Sequence, residues 1–224
     1  MRDFNFPNGR LPLVAALDIE GTLTKIEGWD FLAEKRSKEI QEEIEKMREE
    51  GMHGGDFEGS LRGRFDLIKP TPEDIEMLQK AYCETIGEDV IKIINLLRKE
   101  FKRVICISGG LQDAILPFAK ELGFDPRDVF SIPLTPQGRL PDNHTLYSRD
   151  GKKTILDEVI AEERKKHDPQ NRKKFYNIMI GDGMTDAVCK GDDVIFIAVG
   201  NREKVLKVAD FHVKSIGEIR TFFK

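Results

Sequence analysis

Two acidic residues stand two positions apart after a short apolar segment, in Leu17-Asp18-Ile19-Glu20-Gly21-Thr22. The apolar residues 13–17 are too few for a helix and predict a buried strand. If the strand continues, Asp18 and Glu20 share one face, and Gly21 lets the backbone turn away after them. Two acids at the end of a buried strand are costly unless a cation or a proton accompanies them. Taken alone, the segment also fits a solvated turn with surface acids.

Two later apolar segments also end in polar, glycine-rich loops. Residues 104–107 lead into Ser108-Gly109-Gly110, and residues 177–180 lead into Gly181-Asp182-Gly183-Met184-Thr185-Asp186. Lys152 begins a charged amphipathic helix between them. In a doubly wound sheet, the loops at the carboxyl ends of the strands line one crevice. We therefore expect these side chains to meet the first acidic pair there.

The residue types in these loops suit a magnesium ion and a phosphate group. Asp18, Asp182 and Asp186 offer hard oxygen ligands. A serine hydroxyl, backbone N–H groups and a lysine together form a cradle for an anion. A carboxylate nucleophile beside both indicates phosphoryl transfer through an aspartyl-phosphate. Each feature singly also fits an ordinary turn, a helix cap or a surface charge, but their occurrence together at successive strand ends favours the catalytic interpretation.

Strands alternate with helices along most of the chain, which predicts an α/β fold with a doubly wound parallel sheet. Residues 25–86 lack strand patterns and predict an inserted all-helical cap domain, which leaves 1–24 and 87–224 as the catalytic core. One long amphipathic helix is expected from Trp29 to Met47. Residues 129–140 predict a short β-hairpin. Ser215 and Glu218 have the spacing of a capping box for a terminal helix.

Composition narrows the possible partners and setting. The chain has 224 residues, of which 39% are hydrophobic and 34% charged, and this suits one globular domain with an insert. A net charge of −4 gives no basic footprint for nucleic acid. No apolar stretch has the length of a membrane span, and the N-terminus does not resemble a signal peptide. Three widely separated cysteines suggest no disulfide framework. We expect a cytoplasmic monomer or homodimer with no nucleic-acid or membrane partner.

The motifs, in this order, resemble those of the haloacid dehalogenase superfamily of phosphohydrolases, and within it the phosphoserine phosphatase group. The resemblance covers nearly the whole chain and implies a Mg²⁺-dependent phosphatase for a small phosphorylated metabolite such as phosphoserine. Lys152 and Lys153 are the two candidates for the lysine of the family's motif, and Lys152 fits the pattern Lys-x-x-(Ile/Ala)-Leu better. The resemblance implies that Asp18 is the nucleophile and Glu20 the general acid/base. It also implies that Ser108, Gly109 and Gly110 surround the phosphoryl group, whose charge Lys152 offsets. The Mg²⁺ ligands would be Asp18, the Glu20 backbone carbonyl and Asp182, with Asp186 in support.

The resemblance extends to the cap segment and includes one departure. Arg64 would bind a substrate carboxylate, Phe57 would pack over the substrate, and Glu27 would bind its amino group. Arg64 also fits a surface charge, and Phe57 a core residue. The departure is Glu20, because the family usually has Asp there. A longer side chain displaces the carboxyl group, although enolase-phosphatases of the same superfamily also carry Asp-x-Glu-Gly-Thr.

Two other functions fit part of the pattern. The Glu20 departure is compatible with a phosphatase for another metabolite, such as a sugar phosphate or a nucleotide. A non-enzymatic phospho-acceptor module similar to a receiver domain also uses Asp, Ser or Thr, and Lys with Mg²⁺. Receivers lack a helical insert after the first strand and the Gly-Asp-Gly-x-x-Asp loop, so the pattern favours a phosphatase.

Overall fold

The computed structural model describes residues 9–52 and 55–223. Its one six-stranded sheet has the strand order β3-β2-β1-β4-β5-β6, and every pairing is parallel. This confirms the predicted α/β class with a parallel sheet. The strands are β1 (Leu11–Leu17), β2 (Arg103–Leu111), β3 (Val129–Ile132), β4 (Phe175–Gly181), β5 (Val194–Val199) and β6 (Phe211–Val213).

Helices connect the strands and cover the sheet, and the described residues between β1 and β2 contain helices only. The α-helices are α1 (Gly28–Ala33), α2 (Lys38–Met52), α3 (Phe57–Ile68), α4 (Pro72–Glu84), α5 (Glu88–Glu100), α6 (Gln112–Glu121), α7 (Gly151–His167), α8 (Met184–Ala187) and α9 (Glu203–Leu206), with 3₁₀ helices at Pro126–Asp128, Thr145–Tyr147 and Ile216–Phe222.

The central strands form the core. Residues 13–17 of β1 and all of β4 are buried, as expected where helices cover both faces of a parallel sheet. One helix of the segment between β1 and α5 also packs here, because Tyr82 of α4 lies against Phe118 of α6 with ring centroids 5.8 Å apart. This contact fixes α4 beside the carboxyl end of the sheet.

Three local predictions were wrong. The helix expected from Trp29 to Met47 is divided into α1 and α2, and the break lets the side chain of Arg36 reach the carbonyl of Ile68. The expected hairpin at 129–140 is the single strand β3, paired in parallel with β2 and followed by a turn whose ends, Thr135 and Arg139, are hydrogen-bonded. Because β3 pairs with β2, it does not form the antiparallel hairpin that was predicted.

The third error concerns the terminal helix. Ser215 makes no side-chain cap, and the Glu218 carboxylate instead accepts the N–H of Lys214 at 3.0 Å. The helix it begins is a 3₁₀ helix, whose first turn presents its N–H groups differently. The N-terminal residues 1–8, on which the absence of a signal peptide was predicted, lie outside the described residues. Among the helices that are described, none has the length and apolar content needed to span a bilayer.

One polar cluster joins the ends of three helices. The Arg36 guanidinium donates to the carbonyl of Ile68, at the end of α3, and to Asp74 at 2.7 Å each. Asp74 and Thr71 form a reciprocal capping box at the start of α4. Burial by itself raises the pKa of Asp74, but Arg36 and the Thr71 N–H outweigh burial and hold this pKa below its ordinary value.

We predict that Asp74→Ala lowers the free energy of unfolding by about 1–3 kcal/mol, because it removes a cap and leaves Arg36 unpaired. Urea denaturation measures this, with Glu76→Ala, an exposed change in the same helix, as the control. The stabilisation should be fully present above the ordinary carboxyl pKa of 3.8 and lost as the pH falls through the lower folded-state pKa. Equal stability of the two variants at neutral pH would contradict the prediction.

Candidate active site

Three carboxylates meet at the carboxyl end of the sheet. Asp18 follows β1, Asp182 follows β4, and Asp186 lies in α8. One oxygen from each lies within 4.8 Å of the others, and all three residues are buried. Hard oxygen ligands so close together fit a divalent cation, whose charge offsets their mutual repulsion.

Lys152, in helix α7, forms ion pairs with two of these carboxylates. Its Nζ lies 2.6 Å from Oδ1 of Asp18 and 2.6 Å from Oδ1 of Asp186, with only 9% of the side chain exposed. The alternative residue, Lys153, instead forms a surface pair with Asp157 at 2.7 Å. The structure therefore brings Lys152, and not Lys153, to the predicted site.

Asp186 serves two neighbours at once. Its Oδ1 accepts from Lys152, and its Oδ2 accepts the backbone N–H of Gly183 at 2.9 Å. Asp186 therefore caps α8 and also pairs with the lysine. The short helix α8 thereby fixes the carboxylate that orients the lysine.

The electrostatics show that one lysine does not offset three buried acids. Burial raises the pKa of Asp18 well above its usual value, and the charge of Asp186 adds to this, while Lys152 opposes both. Burial raises the pKa of Asp182 to about 6, although Arg202 opposes it. Burial alone would lower the pKa of Lys152, but the charges of Asp18 and Asp186 outweigh it and raise this pKa. The lysine therefore stays charged, whereas burial and mutual repulsion oppose ionisation of Asp18 and Asp182, and a bound divalent cation would favour their charged forms.

Gly21 allows the two acidic loops to approach each other. Its φ is +75°, a conformation that favours glycine. A Cβ at this position would also overlap the carboxylate of Asp182. The sharp turn predicted from the sequence is present, and the absence of a side chain at Gly21 also leaves room for Asp182.

The Glu20 side chain points away from the three aspartates. Its Oε1 accepts the hydroxyl of Tyr82 at 2.5 Å and the N–H of Gly28 at 2.7 Å, and its Oε2 accepts the hydroxyl of Ser108 at 3.3 Å. Only 8% of the residue is exposed. Burial raises the pKa of Glu20, although the hydrogen bond from Tyr82 opposes this. The carboxylate is thus held beside Ser108 and not among the aspartates.

The residues Ser108-Gly109-Gly110 lie beside this carboxylate. The prediction that they form a loop after the second strand was wrong, because β2 continues through them to Leu111, with a shift in register against β3. Ser108 is fully buried, and its Oγ also accepts the N–H of Gly110 at 3.1 Å. The indole N–H of Trp29 in α1 donates to the carbonyl of Gly109 at 3.3 Å and holds this end of the strand.

A cleft of about 470 Å³ opens above these groups, between the sheet and the helices α1–α3. Arg64 is largely buried in it, 5.5 Å from the Trp29 ring and hydrogen-bonded to the carbonyl of Ser60, with no acidic side chain within 4.0 Å among the described residues. Burial lowers the pKa of Arg64, an effect that nearby acids oppose. The predicted site residues that line the cleft are Asp18, Glu20, Glu27, Phe57, Arg64, Gly109, Lys152, Asp182 and Asp186, with Ser108 and Gly110 behind Glu20.

Sequence reasoning missed Arg202, Tyr82 and Trp29. Arg202 donates to Glu27 at 2.9 Å and lies 3.1 Å from Oδ2 of Asp182, so it connects the start of the helical segment to the carboxylates. Arg202 lies just beyond the carboxyl end of β5. It could have been found from the sequence, because the side chains after the other strands were predicted to gather at the same edge of the sheet. Tyr82 and Trp29 carried no such signal, because each lies on the apolar face of a helix.

The chain is similar to known phosphoserine phosphatases, although no protein-family model matches it. It is 29% identical over 214 residues to the phosphoserine phosphatase of Drosophila melanogaster, which covers 92% of this chain and 76% of the relative. The crystal structure of phosphoserine phosphatase from T. onnurineus is 26% identical, with a TM-score of 0.65 and coverage of 97% of this chain and 96% of that one.

A phosphoserine phosphohydrolase-like protein from Francisella tularensis has the same fold, with a TM-score of 0.75 over 95% of this chain and 100% of that one at 24% identity. The chain is thus similar to phosphoserine phosphatases over nine-tenths of its length, and it has the fold of solved hydrolases of the haloacid dehalogenase family. This confirms the resemblance seen in the motifs and the prediction of a phosphatase.

We predict that Lys152→Met destabilises the chain much more than Lys153→Met. The first change leaves a buried group of acids without its cation, which costs roughly 3–5 kcal/mol. The second removes only an exposed pair, worth about 0–1 kcal/mol. Urea denaturation in a chelating buffer compares the two variants, and equal losses would contradict the charge balance described above.

Proposed function

We propose that the chain hydrolyses a small phosphomonoester with Mg²⁺ as cofactor, through an aspartyl-phosphate on Asp18, and that O-phosphoserine is its substrate. The observation that carries this proposal is the pairing of Lys152 with Asp18 and Asp186 inside a cluster of buried acids. The similarity to phosphoserine phosphatases over nine-tenths of the chain supports it.

The three aspartates fit a magnesium site. Asp18, Asp182 and the backbone carbonyl of Glu20 would hold the ion, with Asp186 in support, because oxygen donors in a buried acidic cluster match a hard cation. When bound, Mg²⁺ neutralises charge on the carboxylates and on a phosphoryl group.

Asp18 is the nucleophile in this proposal. Lys152 holds Oδ1 of Asp18 and leaves Oδ2 free to attack phosphorus. A bond forms between Oδ2 and phosphorus while the bond between phosphorus and the ester oxygen breaks. The same ammonium stays charged throughout, because Asp186 holds it from the other side. Backbone N–H groups of Gly109 and Gly110, with Ser108, would surround the phosphoryl oxygens.

Glu20 is the general acid and then the general base. It first gives a proton to the leaving ester oxygen. It then takes a proton from the water that attacks phosphorus, while the bond between Asp18 Oδ2 and phosphorus breaks and inorganic phosphate is released. Burial keeps the pKa of this carboxyl above its ordinary value, which suits a group that must donate a proton.

The substrate assignment rests on the cleft. Arg64 is a largely buried guanidinium that faces the cleft and suits a carboxylate. Glu27 would bind the amino group of the substrate and Phe57 would cover it. Residues 25–86 would act as the helical cap over the core formed by 1–24 and 87–224. A chain with these residues in its cleft would act on amino-acid phosphates.

We expect phosphate release from O-phosphoserine with Mg²⁺ and its loss in a chelating buffer. Asp18→Asn should lower the rate by at least ~10³, because the covalent step needs a carboxylate. Asp192→Asn, an exposed change, is the control. The assay includes sugar phosphates and nucleotides. Much faster hydrolysis of one of these than of O-phosphoserine would show that phosphoserine is not the substrate. If no phosphoester is hydrolysed, the proposed function is wrong.

Arg64 provides a sharper test of the substrate. We predict that Arg64→Ala raises KM for O-phosphoserine by roughly 10- to 100-fold, since a charge-assisted bond is lost. KM for phosphoethanolamine, which lacks the carboxylate, should change little. Steady-state kinetics on both esters measures the difference, with Arg127→Ala as the control on the surface. A similar rise in KM for both esters would count against carboxylate recognition by Arg64.

A further inference from the structure

The side chain at position 20 is one methylene longer than the aspartate that the motif resemblance leads us to expect, and the structure shows how it is accommodated. Glu20 Oε1 lies between the hydroxyl of Tyr82 and the N–H of Gly28. A Cβ at Gly28 would overlap both that oxygen and the Tyr82 hydroxyl. A Cβ at Gly110 would lie 2.7 Å from Oε2. Two glycine backbones therefore leave the space that the longer side chain fills.

The two oxygens of this carboxylate have different partners. Oε1 accepts two strong hydrogen bonds, whereas Oε2 faces the Ser108 hydroxyl at the longer distance of 3.3 Å. With Oε1 engaged in this way, Oε2 is the oxygen left for proton transfer, and it lies beside Ser108, where a phosphoryl group would bind. Tyr82 thus determines which oxygen of Glu20 faces the reaction.

Tyr82 is well placed to hold a fixed position. It is fully buried, and its ring packs on Phe118 at 5.8 Å between centroids. It belongs to α4, in the helical segment, whereas Glu20 belongs to the loop after β1. The hydrogen bond therefore crosses between the helical segment and the sheet.

We propose that Tyr82 is a positioning residue that holds the longer carboxylate of Glu20 in place for proton transfer, so that the pair Glu20–Tyr82 replaces a single shorter aspartate. The inference rests on the proposed role of Glu20 as general acid/base. Tyr82 keeps its own proton and only donates a hydrogen bond, and it does not touch the substrate.

The test is a double-variant cycle on O-phosphoserine with Mg²⁺. Tyr82→Phe should lower kcat by roughly 10- to 100-fold, with KM changed less than about threefold, since a hydrogen bond to a charged group is lost while substrate contacts remain. In a Glu20→Asp background the shorter carboxylate no longer reaches Tyr82, and Tyr82→Phe should then change kcat less than about twofold. Tyr147→Phe, which removes a different hydrogen-bonded hydroxyl, is the matched control.

Gly28→Ala provides a second test should Tyr82→Phe fold poorly. It disturbs the same oxygen from the other side and should lower kcat with KM preserved. Equal losses in both backgrounds, a loss confined to KM, or an unchanged kcat in Tyr82→Phe would overturn the inference while the proposed function stands. Absence of phosphate release by the unmodified chain would instead refute the proposed function, and this inference with it.

Discussion

The buried group of acids at the carboxyl end of the sheet is the constraint on which the rest of the structure depends. Asp18, Asp182 and Asp186 lie too close together to be charged without compensation. Lys152 supplies one positive charge from α7, and Arg202 supplies part of another from the loop after β5. The remaining negative charge is what makes the site suited to a divalent cation. Stability and chemistry are therefore set by the same charges.

The sheet explains why these residues meet. Parallel strands bring their carboxyl ends to one edge, and the central strands β1 and β4 carry Asp18 and Asp182 as neighbours. The left-handed turn at Gly21 lets the two loops approach. The helical segment completes the site, because Trp29 donates to Gly109 at the end of β2 and Tyr82 holds Glu20. Each chemical group is thus positioned by an element whose own stability comes from apolar packing.

Much of this site could be predicted from the sequence, for a physical reason. Polar residues after buried strands gather at one edge whatever the details of the loops, so Asp18 and Asp182 were within reach, and Lys152, at the start of a helix, followed from the order of the motifs. Tyr82 was not, because a tyrosine on the apolar face of a helix looks like a core residue until its hydroxyl is seen against Glu20. The expected hairpin after β3 failed because a strand pattern does not say whether its partner is parallel or antiparallel.

The central proposal is that Asp18 in this acidic cluster becomes phosphorylated during turnover. The most direct measurement uses Glu20→Gln with p-nitrophenyl phosphate, whose leaving group needs no proton, followed by acid quenching and mass spectrometry of the peptides. Loss of the general base slows hydrolysis of the intermediate, so the account predicts a phosphoryl group on the peptide that carries Asp18, formed with the first burst of nitrophenol. Steady release of nitrophenol and phosphate with no phosphoryl group on that peptide would contradict it.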